Sequence, residues 1–93
     1  MKMAEFLPLG SVVLLKGTTK RLMIYGRKET HVESQKVFDY IGCLFPEGYI
    51  DDDFVFFFNR NQIGEVIYSG LTDAEEEDFV KTQLNFDNAS VFK

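Results

Sequence analysis

Cysteine and histidine are both scarce in this 93-residue sequence, which has Cys43 and His31 as the single example of each. One cysteine cannot form an intrachain disulfide, so the fold does not depend on a disulfide framework. A lone histidine in a polar stretch makes neither a catalytic triad nor a metal site, and neither GxxxxGK[ST] nor GxGxxG occurs. We therefore expect no enzyme, no catalytic residues, no cofactor and no metal.

Long apolar runs are also missing, since the longest unbroken one is Phe54–Phe58. A helix that spans a bilayer needs about 20 apolar residues, so no membrane association is expected. The start of the chain has an apolar run broken by Glu5 and Pro8 and lacks the core of a signal peptide. A cytoplasmic protein is the expectation.

Positive charge is in short supply, because the formal net charge is −5. Residues 1–46 carry seven Lys/Arg and four acids, net +3, and residues 47–93 carry three basic residues and eleven acids, net −8. The phosphate backbone of a nucleic acid demands clustered positive charge. Nucleic acid is therefore not expected as a partner.

Strand patterns dominate the first two thirds of the chain. Five segments rich in β-branched and aromatic residues predict strands within residues 11–68. They are Ser11–Lys16, Arg21–Arg27 with a bulge near Gly26, Val37–Phe45, Phe54–Phe58 and Glu65–Tyr68. The polar residues 28–36 are interpreted as a long hairpin loop.

A helix is predicted after the strands, from about residue 73 to 85. Thr72 and Glu75 have the spacing of a capping box, and the acids at 73–78 suit the positive end of a helix. The tail 86–93 has no assignment. The fold class expected is α+β in a single domain, residues 1–93, with a curved antiparallel sheet of about five strands and a C-terminal helix. A partly closed barrel is the alternative for the sheet.

The triplet Asp51-Asp52-Asp53 and Cys43 are the candidate chemical groups. Neighbouring residues of a strand point to opposite faces, so at most two of the three carboxylates can share one ion. A calcium loop starting at Asp51 would need Gly at its sixth position and Glu at its twelfth, where Val55 and Gln62 stand. We interpret the triplet as a solvated turn and Cys43 as a buried structural thiol.

Aromatic residues stand on both faces of the predicted sheet, and one short helix cannot cover two apolar faces. Three solutions remain open: the sheet curls around its own core, the protein forms a homodimer, or a protein partner covers the spare face. The candidate partner-binding residues are Phe54, Phe56, Phe57, Tyr40 and Tyr68.

Several motifs carry a family resemblance over roughly residues 8–80. They are PLGSVV at 8–13, KG at 16–17, LMIYGR at 22–27, DYIGCLFPEG at 39–48, and Phe58-Asn59 followed by Ile63 and Val66. The chain resembles a small family of uncharacterised domains from Gram-positive bacteria. Genes of that family are commonly found beside type VII secretion loci and LXG-type polymorphic toxins.

The resemblance implies a cytoplasmic accessory protein, a chaperone or targeting factor that binds the N-terminal region of a toxin before export. It supplies no catalytic residues. An immunity protein that blocks the toxic domain is the alternative, and a ligand-binding domain or enzyme is a third possibility. The part of the toxin that is bound distinguishes the first two functions: a chaperone binds the N-terminal region, and an immunity protein binds the C-terminal toxic domain.

Overall fold

Five antiparallel strands and a C-terminal helix form the protein in a computed structural model, which describes residues 6–85. The strands are β1 (Val12–Leu15), β2 (Leu22–His31), β3 (Lys36–Leu44), β4 (Val55–Phe58) and β5 (Ile63–Tyr68). Short 3₁₀ turns, Asp52–Phe54 and Arg60–Gln62, precede and follow β4. Helix α1 (Ala74–Phe79) continues into one π-helical turn, Val80–Leu84. The predicted α+β class is confirmed, and the tail 86–93 lies outside the described residues.

The sheet has the order β4-β3-β2-β1-β5, so the last two strands in sequence lie at opposite edges. A flat five-stranded sheet would separate those edges by about 19 Å, four strand spacings. Only residues 59–62 link them, and a 3₁₀ turn advances about 2 Å per residue. The sheet must therefore curl strongly, although β4 and β5 do not pair and the barrel is not closed.

The core lies inside this curl. Its central side chains come from four strands and are all buried: Val13, Leu22, Ile24, Tyr40 and Phe58. The Tyr40 and Phe58 rings are 5.6 Å apart between centroids. A Cβ on Gly42 would lie 3.2 Å from the Phe58 ring, so the glycine lets that ring pack against the β3 backbone.

The segment before β1 closes one side of the core. The Tyr40 hydroxyl accepts a hydrogen bond of 3.0 Å from the Leu7 amide, and the Phe6 ring meets Tyr40 edge-on at 5.9 Å. Buried Ser11 donates to the Pro8 carbonyl at 2.7 Å and accepts from the Gly70 amide at 3.0 Å. These contacts fix the segment against both β3 and the residues that follow β5.

Strand β2 runs four residues further than predicted, and β3 begins one residue earlier. Residues 28–36 are not a long loop, because pairing continues to His31 opposite Lys36 and leaves only residues 32–35 as a turn. The Gln35 amide donates to the His31 carbonyl at 2.8 Å, and Gln35 has a positive φ of 63°. Backbone hydrogen bonds stabilise this ribbon, and its exposed polar side chains gave no strand pattern.

The bulge predicted near Gly26 is confirmed. Ile24 pairs with Gly42 and Gly26 pairs with Ile41, so Tyr25 is an extra residue in β2. Because of this extra residue, the side chains beyond the bulge lie on the opposite faces from those that simple alternation along the strand would give them.

The helix begins one residue away from the predicted cap. Asp73, and not Thr72, is the N-cap, and its carboxylate accepts from the Glu76 amide at 2.9 Å. The helix is joined to β2 by Arg27, which pairs with Glu76, and by Lys28, which donates to the Leu84 carbonyl at 2.9 Å. Within residues 6–85 no helix has the length and apolar character that crossing a membrane requires.

Candidate protein-binding surface

The five residues predicted to bind a partner do not form one surface. Phe54 and Phe56 are 43% and 37% exposed at the β4 edge. Tyr68 is exposed on β5 at the opposite edge. Tyr40 is buried at 2% exposure, so its place on a partner surface is corrected to a place in the core.

Phe57 lies on the face opposite Phe56 and is half-buried. Its ring centroid lies 5.0 Å from that of His31 and 5.7 Å from that of Phe38. His31 was expected in a polar loop and is instead half-buried in this cluster, with its Nδ1 2.8 Å from the Ser34 hydroxyl. Phe57 therefore holds the β2–β3 ribbon against β4.

The exposed apolar side chains near β4 extend along the connection that leads into it. We call them the β4-side surface: Tyr25, Tyr49, Ile50, Phe54 and Phe56. The Tyr49 ring reaches back to β2, where its centroid lies 6.1 Å from that of Tyr25. Exposed aromatic residues of this kind are typical of interaction sites.

The carboxylates next to this surface are exposed and engaged in local hydrogen bonds. Asp51 accepts from the Asp53 amide at 2.9 Å and thereby caps the 3₁₀ turn. Asp52 accepts from the Tyr49 hydroxyl at 2.7 Å. That hydrogen bond, with burial and the charge of Asp52 adding to it, raises the pKa of Tyr49 to about 12. The triplet therefore gives this end of β4 a negative field.

The thiol of Cys43 and the side chains able to bind a metal ion are the other candidate chemical groups. Cys43 is buried at 1% exposure, as predicted, and burial raises the pKa of its thiol, which disfavours the reactive thiolate. Among residues 6–85, no three His, Cys, Asp or Glu side chains are grouped so that they could hold a metal ion.

A groove of about 750 Å³ lies between the segment before β1, strand β5 and the helix. Its walls are mostly apolar, with Leu7, Ile63 and Val80 among the lining residues. Among its charged groups, Arg60 pairs with Asp39 at 3.3 Å and stacks on the Phe6 ring at 4.5 Å. Glu76 on its rim pairs with Arg27.

Some members of the β4-side surface were missed by sequence reasoning. Tyr25 is the extra residue of the bulge, and Tyr49 and Ile50 lie in a connection with no strand period. The one available signal was that three large apolar residues stand close to the Asp triplet: Tyr49, Ile50 and Phe54.

The comparison with protein families decides the affiliation of the chain, since one family matches residues 6–79. The chain belongs to the family described as Domain of unknown function (DUF4176). The match covers all five strands and helix α1, so the DUF4176 domain is the unit described above. No curated protein and no solved structure shows significant similarity to the chain.

Proposed function

We propose that this DUF4176 domain is a non-catalytic protein-binding module. Its role is that of a cytoplasmic chaperone or targeting adaptor for an LXG toxin of the type VII secretion system. The β4-side surface is the observation that supports a binding role, because Phe54 and Phe56 remain exposed in a domain with a complete core elsewhere. The motif resemblance supports the choice of partner.

The physical argument for binding is the cost of leaving aromatic area in water. Burying apolar surface is worth roughly 25 cal/mol per Å², and aromatic side chains are enriched among the residues that dominate interface energies. Neither Phe54 nor Phe56 is in the core cluster of the described residues. A partner that covers them gains this free energy without any change in the fold.

The partner is the N-terminal region of the toxin, which carries the export signal in this proposal. The experiment measures binding of the purified protein to two separately expressed fragments, the N-terminal LXG region and the C-terminal toxic domain. We expect calorimetry to detect binding to the N-terminal region only. Binding to the toxic domain alone would make the protein an immunity protein instead, and binding to neither fragment would overturn both functions.

Single substitutions locate the surface in the same assay. Phe54→Asp and Phe56→Asp are expected to weaken binding at least tenfold, as interface aromatic residues do. Val32→Asp is the matched control, because Val32 is 77% exposed in the β2–β3 turn and is not part of the β4-side surface. Circular dichroism checks that each variant folds. Unchanged binding of both folded phenylalanine variants would remove the β4-side surface from the proposal.

A further inference from the structure

Strand β4 has one side without a partner. Its inner side pairs with β3 in four consecutive steps without any irregularity, from Tyr40 opposite Phe58 to Cys43 opposite Val55. No strand among residues 6–85 pairs with its outer side. In an antiparallel edge strand, every second residue directs its amide and carbonyl groups outward, where another strand can pair with them.

The other edge of the sheet is much less suited to strand addition. Strand β5 pairs with β1 through two irregularities, which leave Gly64 and Ile67 as extra residues within six. Bulges bend and twist a strand, and natural proteins use them to protect exposed edges. The two edges therefore differ, and β4 is the one with regular pairing geometry.

The charge beside β4 selects the kind of segment that can pair there. Asp51, Asp52 and Asp53 are exposed directly before the strand, and none of them forms an ion pair within the described residues. Lys20, which reaches the same connection, is already paired with Glu47 at 2.8 Å. A positively charged segment would meet uncompensated carboxylates at this position.

We propose that β4 accepts an extended segment of the partner protein as a sixth strand, and that this segment alternates apolar residues with lysine or arginine. This inference rests on the proposed binding function and specifies its mode. Main-chain hydrogen bonds to β4 supply affinity, apolar side chains pack beside Phe54 and Phe56, and basic side chains face the Asp triplet. A helix cannot use the free edge, because its backbone groups are bonded internally.

A second copy of this chain is the competing occupant, and charge disfavours it. Each copy has a net charge of −5 and carries its own Asp triplet at the same edge. The net charge of each copy thus opposes self-association, while the triplet attracts a basic segment.

The test uses the purified protein and synthetic heptapeptides that alternate lysine and valine. Nuclear magnetic resonance follows amide exchange of residues 55–58 during the titration. We expect at least two of these amides to exchange more than about tenfold slower with the lysine peptide present, because strand pairing protects amides. A peptide N-methylated at alternate residues keeps charge and apolarity but cannot pair. Equal protection by that peptide, or none by the parent peptide, overturns strand addition.

Charge selection is tested with two variants that each remove three negative charges. D51N/D52N/D53N keeps side-chain oxygens that accept the local hydrogen bonds, and E75Q/E77Q/D78N changes exposed acids on α1. We expect the first variant to weaken binding of the lysine peptide about tenfold, because it removes three exposed charge pairs together. The second variant should change this binding little. Equal effects of the two variants overturn the role of the triplet.

The outcomes separate this inference from the proposed function. If the toxin fragment binds but protects no β4 amide, the binding role stands and strand addition fails. Sedimentation at each titration point tests for the competing occupant, a second copy of the chain. Protection of the β4 amides without peptide, together with a doubled molecular mass of the protein, indicates that second copy. That result would also overturn the inference.

Discussion

Arg27 on β2 and Glu76 on helix α1 form a two-point ion pair that joins the helix to the sheet. The second of its contacts, from Nη2 of Arg27 to Oε1 of Glu76, is 3.0 Å long. The side chains are 4% and 16% exposed, so the pair is largely shielded from water. The Arg27 guanidinium also lies 5.6 Å from the centre of the Phe79 ring.

Removing one charge of this pair should destabilise the protein, because the other charge stays buried. We expect Glu76→Gln to lower the free energy of unfolding by about 2 kcal/mol, less than a fully buried pair because the amide keeps one hydrogen bond. Glu77→Gln, on the exposed side of the same helix, is the control and should change it by less than about 0.5 kcal/mol. Urea denaturation measures both. Equal stabilities of the two variants would contradict the prediction.

The hydroxyl of Tyr40 should contribute to stability through the segment before β1. Tyr40→Phe leaves the half-buried Leu7 amide without its acceptor, and we expect a loss of about 1–2 kcal/mol in unfolding free energy. Tyr25→Phe is the matched control, since the Tyr25 hydroxyl makes no hydrogen bond among the described residues. A loss of the same size in both variants would show that the bond to Leu7 is not the cause.

Tyr49 should ionise only at very alkaline pH. The hydrogen bond to Asp52 raises its pKa to about 12, and the phenol is favoured in the folded state. A group whose pKa rises on folding contributes stability fully present below the unfolded value, about 10, and lost as pH rises through the folded value. Ultraviolet titration of tyrosinate should show one tyrosine near pH 12 that shifts downward in Asp52→Ala. Asp53→Ala should leave it in place, and a shift in both variants would contradict the assignment.

The thiol of Cys43 should react slowly in the folded protein. Burial shields the Cys43 sulfur from reagents in solution and raises the pKa of the thiol, which reduces the thiolate fraction. We expect alkylation by iodoacetamide to be at least about 100-fold slower in buffer than in guanidinium chloride, because reaction requires opening of the sheet. Mass spectrometry reads a single site, since no other cysteine exists in the sequence. Similar rates in both conditions would show that Cys43 is accessible.

The strands of the sheet could be predicted because their apolar residues are β-branched or aromatic and bounded by turn residues. That signal places both ends of β1, β3 and β4 to within one residue. The ribbon half of β2 gave no such signal. Its side chains beyond Arg27 are polar, and they give no apolar alternation that would reveal the pairing.

The sheet face on which each aromatic side chain lies was harder to predict than the positions of the strands. Tyr40 was placed on a surface because nothing in the sequence shows that residues 6–8 fold over it. Phe56 and Phe57 exchange faces with a one-residue change of register, and the β3–β4 pairing alone sets that register. The exposure of the β4 side chains therefore depends on tertiary contacts, which a local sequence pattern does not predict.

The strand order has a consequence for how the chain reaches its native state. Val12 pairs with Tyr68, residues 56 positions apart, while β2 and β3 pair across a turn of four residues. Pairing between distant segments is slow, because the chain loses loop-closure entropy before any stabilising contact forms. The β2–β3 ribbon can thus nucleate early and β1 can pair with β2, whereas the outer side of β1 must wait for β5. Until then the outer side of β1 is unpaired, which makes this strand the one at greatest risk of intermolecular pairing during folding.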